Sequence, residues 1–168
     1  RSAQDLLVST RSSTTVSGQA LGVVTAYSEE YTFVADASGV LATPYGEIDD
    51  ALAVVRAMRR AGEPLLLAGF SFGAYVASQA AARLPDDAKP QRLALVGPST
   101  QKQRMPAVPA DTVVIHGEAD DVVPLSATLE WARPQALPVI VFPGTGHFFH
   151  GQLGLLKNVL VQQLRSNS

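Results

Sequence analysis

A hydroxyl becomes a nucleophile near neutral pH when a histidine takes its proton and a carboxylate holds that histidine. Residues of all three types stand at suggestive places in this sequence. Ser71 lies in Gly69-Phe70-Ser71-Phe72-Gly73, after the apolar run Leu65-Leu66-Leu67-Ala68 and before the alanine-rich stretch Ala74 to Ala82. A serine in a GxSxG pentapeptide between strand and helix fits a nucleophile elbow, a turn so sharp that its flanking residues must lack bulk. Gly69 and Gly73 meet that requirement. The turn would lift the Ser71 hydroxyl above a sheet at the start of a helix, where free N–H groups and the helix dipole favour negative charge. Ser71 is the candidate nucleophile, and the backbone N–H of Phe72 is the candidate oxyanion-hole donor. Alone, the pentapeptide would equally describe a turn serine capping a helix.

The partners come downstream. Asp111 to Gly117 reads as a buried strand, followed by Glu118-Ala119-Asp120-Asp121, which places carboxylates just past a strand end. Pro138-Val139-Ile140-Val141-Phe142 reads as a second strand, and Pro143-Gly144-Thr145-Gly146-His147 as a loop that delivers a histidine. The order Ser, Asp, His, with acid and base on loops after successive strands, is the order of the α/β-hydrolase fold. Each residue also has a plainer reading. Asp120 and Asp121 could shape a turn, and His150 shares the loop of His147 and competes with it as base. His116, at a strand end beside a glycine, reads as a packing and hydrogen-bonding residue. Glu118 and Glu130 read as solvated.

Together GFSFG, HGEADDVVP and PGTGHFFHG resemble the α/β-hydrolase superfamily, most of all its small, lidless bacterial serine hydrolases of the dienelactone-hydrolase-like kind. The resemblance runs from about Gly46 to the C-terminus. In the HGxxDxxVP pattern the acid is the aspartate four residues after the histidine, which implies Asp120, and the GHFFHG histidine implies His147 as base. Dienelactone hydrolase itself uses cysteine, which this chain lacks, so the resemblance is to the serine-using relatives.

With 168 residues, 46% of them hydrophobic, the chain is expected to form one domain over residues 1–168. A formal charge of −2 with 17% charged residues offers no basic face, so nucleic acid is not an expected partner. No apolar stretch reaches the length that spans a bilayer. Without cysteine there are no disulfides, thiolate metal sites or thiol nucleophiles, and no HExxH-type pair suggests metal. No metal and no cofactor are expected. The default location is cytoplasmic, and the oligomeric state is left open.

The elements that must position these residues follow from pattern. Leu21 to Tyr27 and Tyr31 to Ala35 carry β-branched and aromatic residues and read as strands. Ile48 to Gly62 has helical spacing, carboxylates in its first turn and arginines in its last. After the elbow helix come a strand at Arg92–Gly97, a loop at Pro98–Pro109 near the mouth of the site, a short helix at Ser126–Arg133 and an amphipathic helix at Leu153–Leu164. Strands alternating with helices make an α/β fold: a mainly parallel sheet with helices on both faces, reduced at the N-terminus.

Residues 1–20 are rich in Ser, Thr and Gln and are expected to be loop or frayed helix. Residues 1–40 are atypical of the family and expected to be partly disordered. The glycine- or histidine-proline-rich loop that supplies the family's second oxyanion donor is not recognisable before Leu65, so either the fold is trimmed there or residues 1–40 are foreign to it. The resemblance implies a serine hydrolase that cleaves a small ester or thioester through an acyl-enzyme, its partner a small ester-type molecule. A peptidase or amidase using the same residues is an alternative. So is a catalytically compromised domain that binds or scaffolds, motivated by the missing loop.

Overall fold

A computed structural model of the chain describes residues 13–16, 19–27, 32–36, 46–58 and 64–165. Along them run β1 (Ser13–Val16), β2 (Gln19–Tyr27), β3 (Thr32–Asp36), α1 (Gly46–Met58), β4 (Leu66–Phe70), α2 (Phe72–Arg83), β5 (Arg92–Val96), β6 (Val113–Gly117), α3 (Leu125–Ala132), β7 (Ile140–Phe142) and α4 (Leu153–Arg165). Strands β4, β5, β6 and β7 form a parallel sheet in that order, and β1, β2 and β3 form an antiparallel one.

Parallel strands covered on both faces read as unbroken apolar runs, which is how Leu65–Phe70, Leu93–Val96 and Val113–Ile115 appear. Alternation along them divides the core. Leu65, Leu67, Leu93 and Leu95 face α1 and α2, while Leu66, Ala68, Ala94, Val96, Val113, Ile115 and Phe142 face Leu164 and the apolar side of α4. The sheet is therefore covered on both faces. Ala74, Ala77, Ala80 and Ala81 are buried in α2, whose small side chains bring its backbone close to the sheet. Cutting the fully buried Leu95 to alanine should cost roughly 2–5 kcal/mol.

Register decides where function can sit. Phe70 pairs with Val96, Val96 with Ile115, and Gly117 with Phe142, so the strands end nearly level. The turns that follow β4, β5, β6 and β7 consequently emerge side by side at one edge. Ser71, Gly97, Asp120 and His147 all lie on those turns. The Pro98–Pro109 loop is anchored beside α3, where the Trp131 Nε1–H donates to the Pro106 carbonyl at 3.2 Å and Met105 is buried.

The N-terminal stretch differs from expectation. Ser13–Val16 and Gln19–Ala20 pair as antiparallel strands rather than loop or frayed helix. Thr14, Thr15 and Val16 are β-branched and favour a pleated strand once a partner lies alongside, a preference that periodicity does not display. β3 lies against β4 and α2. Residues 1–12 and 37–45, where the second oxyanion loop would be sought, lie outside the described residues, as does the expected helix end at 59–62.

Candidate active site

Ser71 occupies the turn between β4 and α2 with φ 55° and ψ −119°. A positive φ in a residue with a Cβ is strained and persists only where the surroundings enforce it. They do so here from both sides: the Ser71 N–H donates to the Val96 carbonyl at 2.9 Å, and the Ser71 carbonyl accepts from Ser99 N–H at 3.2 Å and Ala74 N–H at 3.1 Å. Gly69 is obligatory, because a Cβ there would overlap the Gly73 carbonyl. The Ser71 hydroxyl caps nothing on its own helix. It is thus free for another partner, and Phe72 begins α2 with a backbone N–H in the first, intrahelically unpaired turn.

That partner is His147. Its Nε2 lies 2.9 Å from Ser71 Oγ, and its Nδ1 lies 2.7 Å from Asp120 Oδ2. A carboxylate only accepts, so Nδ1 carries the proton and donates to Asp120, leaving Nε2 to accept from the Ser71 hydroxyl. His147 is only 2% exposed. It owes that burial to a tight reversal in which the Phe149 N–H donates to the Gly146 carbonyl at 3.1 Å and Phe149 adopts φ 52°. Phe149 holds this conformation because its ring is buried edge-on against Phe142, with centroids 5.4 Å apart. The reversal turns Phe148 outward and leaves His150 exposed. The ring of His147 is flanked by Phe70 and Phe148, at centroid distances of 4.9 and 5.1 Å.

Asp120 is buried, and both its oxygens are used. Oδ1 accepts the Val122 and Val123 N–H groups at 2.9 and 2.7 Å, and Oδ2 faces His147. One side chain therefore shapes the loop and meets the histidine. Asp121, the other carboxylate that could shape this turn, is exposed.

The acid and base loops are joined directly. The Ala119 N–H donates to the Thr145 carbonyl at 3.0 Å, and the Gly144 N–H donates to Glu118 Oε2 at 2.8 Å. Gly117 lies so close to Thr145 that a Cβ would overlap its carbonyl. Glu118, read from sequence as solvated, is exposed yet bound to the histidine loop. Nothing local in the sequence marks this role, since its partner lies 26 residues away. On the other side, a Cβ at Gly97 would sit 3.4 Å from the His147 ring, and the φ of +50° there suits glycine.

The sheet order, the strained serine turn and the Ser, Asp, His sequence of loops place this chain in a class, and solved structures agree. The chain belongs to the α/β-hydrolase superfamily. It is 36% identical to a lidless α/β serine hydrolase from Xanthomonas campestris, with a TM-score of 0.68, over 76% of this chain and 60% of that one. It is 32% identical to an α/β serine hydrolase homologue from Coxiella burnetii, with a TM-score of 0.63, over 76% of this chain and 63% of that one. The chain thus spans less than two thirds of the length of either protein. No protein-family model and no curated protein matches it. Among the described residues no helix is long and apolar enough to cross a membrane.

Proposed function

We propose that the protein is a serine hydrolase that cleaves a small ester or thioester through an acyl-enzyme, with Ser71 as nucleophile, His147 as base and Asp120 as acid. The observation that carries this reading is the continuous hydrogen-bonded line from Ser71 Oγ through the His147 ring to Asp120 Oδ2, at 2.9 and 2.7 Å. The likeness to serine hydrolases supports it.

In the first half-reaction Ser71 Oγ forms a bond to the substrate carbonyl carbon as its proton passes to His147 Nε2. The resulting imidazolium is stabilised by Asp120, which stays ionised. The Phe72 N–H, at the positive end of α2, is the oxyanion donor this chain supplies from the elbow. His147 then gives the proton to the leaving alcohol or thiol as the carbonyl–oxygen or carbonyl–sulfur bond breaks. Water repeats the sequence to release the acid and restore Ser71. The chemistry uses side chains and a backbone amide, with no cofactor, and the partner is a small ester-type molecule.

The test is turnover of short-chain p-nitrophenyl esters and acyl thioesters by wild type and Ser71→Ala. Loss of several orders of magnitude in the variant, with the melting temperature kept, is expected. Retention of more than about a hundredth of the rate would remove Ser71 from the role.

A further inference from the structure

His116 is the penultimate residue of β6, before Gly117, and has no exposed surface. Its Nε2 lies 2.9 Å from the Val123 carbonyl oxygen and 3.3 Å from Asp120 Oδ2. A carbonyl oxygen and a carboxylate oxygen both accept, so Nε2 carries the proton and Nδ1 is left as a bare acceptor. That Nδ1 is buried without a hydrogen-bond partner. An unmet buried acceptor costs about 1–3 kcal/mol, which a leucine of similar bulk would avoid. The imidazole is thus an expensive way to fill this space, and its return must lie at Nε2.

We propose that His116 is a positioning residue for the acid: its Nε2–H donates to the Val123 carbonyl, holding the turn whose N–H groups grip Asp120 Oδ1, and its ring edge lies against Oδ2, so that the carboxylate keeps the correct lone pair toward His147 Nδ1. The inference rests on the triad reading given under Proposed function. Asp120 receives three donors, namely Val122 N–H, Val123 N–H and His147 Nδ1–H, and His116 Nε2 stands 3.3 Å from Oδ2. Oδ1 is held by two backbone amides, and Oδ2 lies between the two imidazoles on a side chain with no exposed surface. The polar Nε2–H edge of His116 beside Oδ2 also stabilises part of its charge, so that charge is not all directed at His147.

The ring stays neutral in this role. Burial pushes its pKa below the ordinary 6.5, opposed by the Val123 carbonyl and by Asp120 and assisted by His147. Asp120 follows its own strand and His147 comes from the loop after β7; these are the titratable groups that face it.

The variants that decide the matter are His116→Gln, whose amide N–H reaches the place of Nε2, and His116→Leu and His116→Asn, which leave that place without a donor. In ester turnover, His116→Leu and His116→Asn should lower kcat about tenfold with KM unchanged, the scale of one buried hydrogen bond. The acid limb of their kcat/KM profile should move to higher pH by roughly half a unit. The sign follows because removing the donor leaves more charge on Oδ2 to hold the His147 imidazolium, and the base works only when neutral. His116→Gln should restore both quantities to near wild type. If His116→Leu does not fold, the comparison of Asn with Gln carries the same contrast. Wild-type kcat and an unshifted limb in the donorless variants would overturn the proposal, as would equal losses in all three with lowered melting temperature. Should wild type itself leave esters untouched, the hydrolase reading fails separately. The proton NMR signal of the His147 Nδ1–H then decides for His116: kept in Gln and lost in Leu or Asn supports positioning, and kept in all overturns it.

Discussion

Gly117 and Thr145 meet backbone to backbone, at a separation that admits no side chain on Gly117. One residue ends the strand that carries the acid loop, and the other belongs to the loop that carries His147. The contact sets the distance between the two loops and hence the 2.7 Å bond between Asp120 and His147. Gly117→Ala should force them apart, lowering turnover at least tenfold and destabilising the fold by about 1–3 kcal/mol, as overpacked sites do. Chemical denaturation and ester kinetics on the same preparation read both quantities. Wild-type values in both would show that the loops set their spacing elsewhere.

His147 and His150 share a loop but not an environment. His147→Ala should reduce turnover as severely as Ser71→Ala, whereas His150→Ala should keep more than about half, since the His150 ring is exposed beside Phe148 at 5.8 Å. Kinetics of the two variants with their melting temperatures test this. The reverse order of losses would transfer the base to His150.

Asp120→Asn offers a sharper contrast than removal of the carboxylate. The asparagine oxygen still accepts from Val122 and Val123, so stability should hold, while its amide presents N–H to a histidine N–H. Turnover should fall by about three to four orders of magnitude through the wrong imidazole tautomer. Asp120→Ala should lose stability as well, because two buried N–H groups lose their acceptor. Asp121→Asn, at an exposed site, should change neither quantity. Turnover and urea melts of the three variants give the comparison, and a larger loss of turnover at Asp121 would reverse the assignment.

Stability should depend on pH through His116. Its folded pKa is depressed, chiefly by burial, so the folded protein keeps it neutral where the unfolded chain takes a proton. The contribution is complete above the ordinary value of 6.5 and is lost progressively as pH falls from there toward the depressed folded pKa. The slope from this group is at most about 1.4 kcal/mol per pH unit. Melting temperature measured from pH 7 to pH 5 should fall, and His116→Gln should flatten the decline. An equal decline in the variant would mean that other groups govern it.

The parts of this molecule that sequence reveals are those whose cause is local. The strand, turn and helix around Ser71 follow from apolar runs and two glycines a few residues apart, and the overlap at Gly69 shows why that position has no freedom. A carboxylate and a histidine follow from their places after successive strands, and the resemblance selects Asp120 over Asp121 and His147 over His150. What escaped notice depends on contacts across the chain. Glu118 looks like any solvent carboxylate until Gly144 meets it, and the orphaned Nδ1 of His116 becomes visible only when the ring is buried. The positive φ of Phe149 runs against the preference of a bulky residue and exists because Phe142 supplies a wall for its ring. The strand at Ser13–Val16 belongs to the same group, since its pairing with Gln19–Gly22 decides a conformation that the Ser/Thr-rich sequence leaves undetermined.

A fluorophosphonate probe, read by intact mass and peptide mapping, addresses the central claim most directly, because it reacts with an activated serine whatever the natural substrate is. Folded wild-type protein should gain a single adduct on Ser71, His147→Ala should react far more slowly, and Ser71→Ala should gain none. Folded wild type that stays unlabelled, or Ser71→Ala that is labelled as fast as wild type, would contradict the assignment of Ser71, His147 and Asp120 as a working triad.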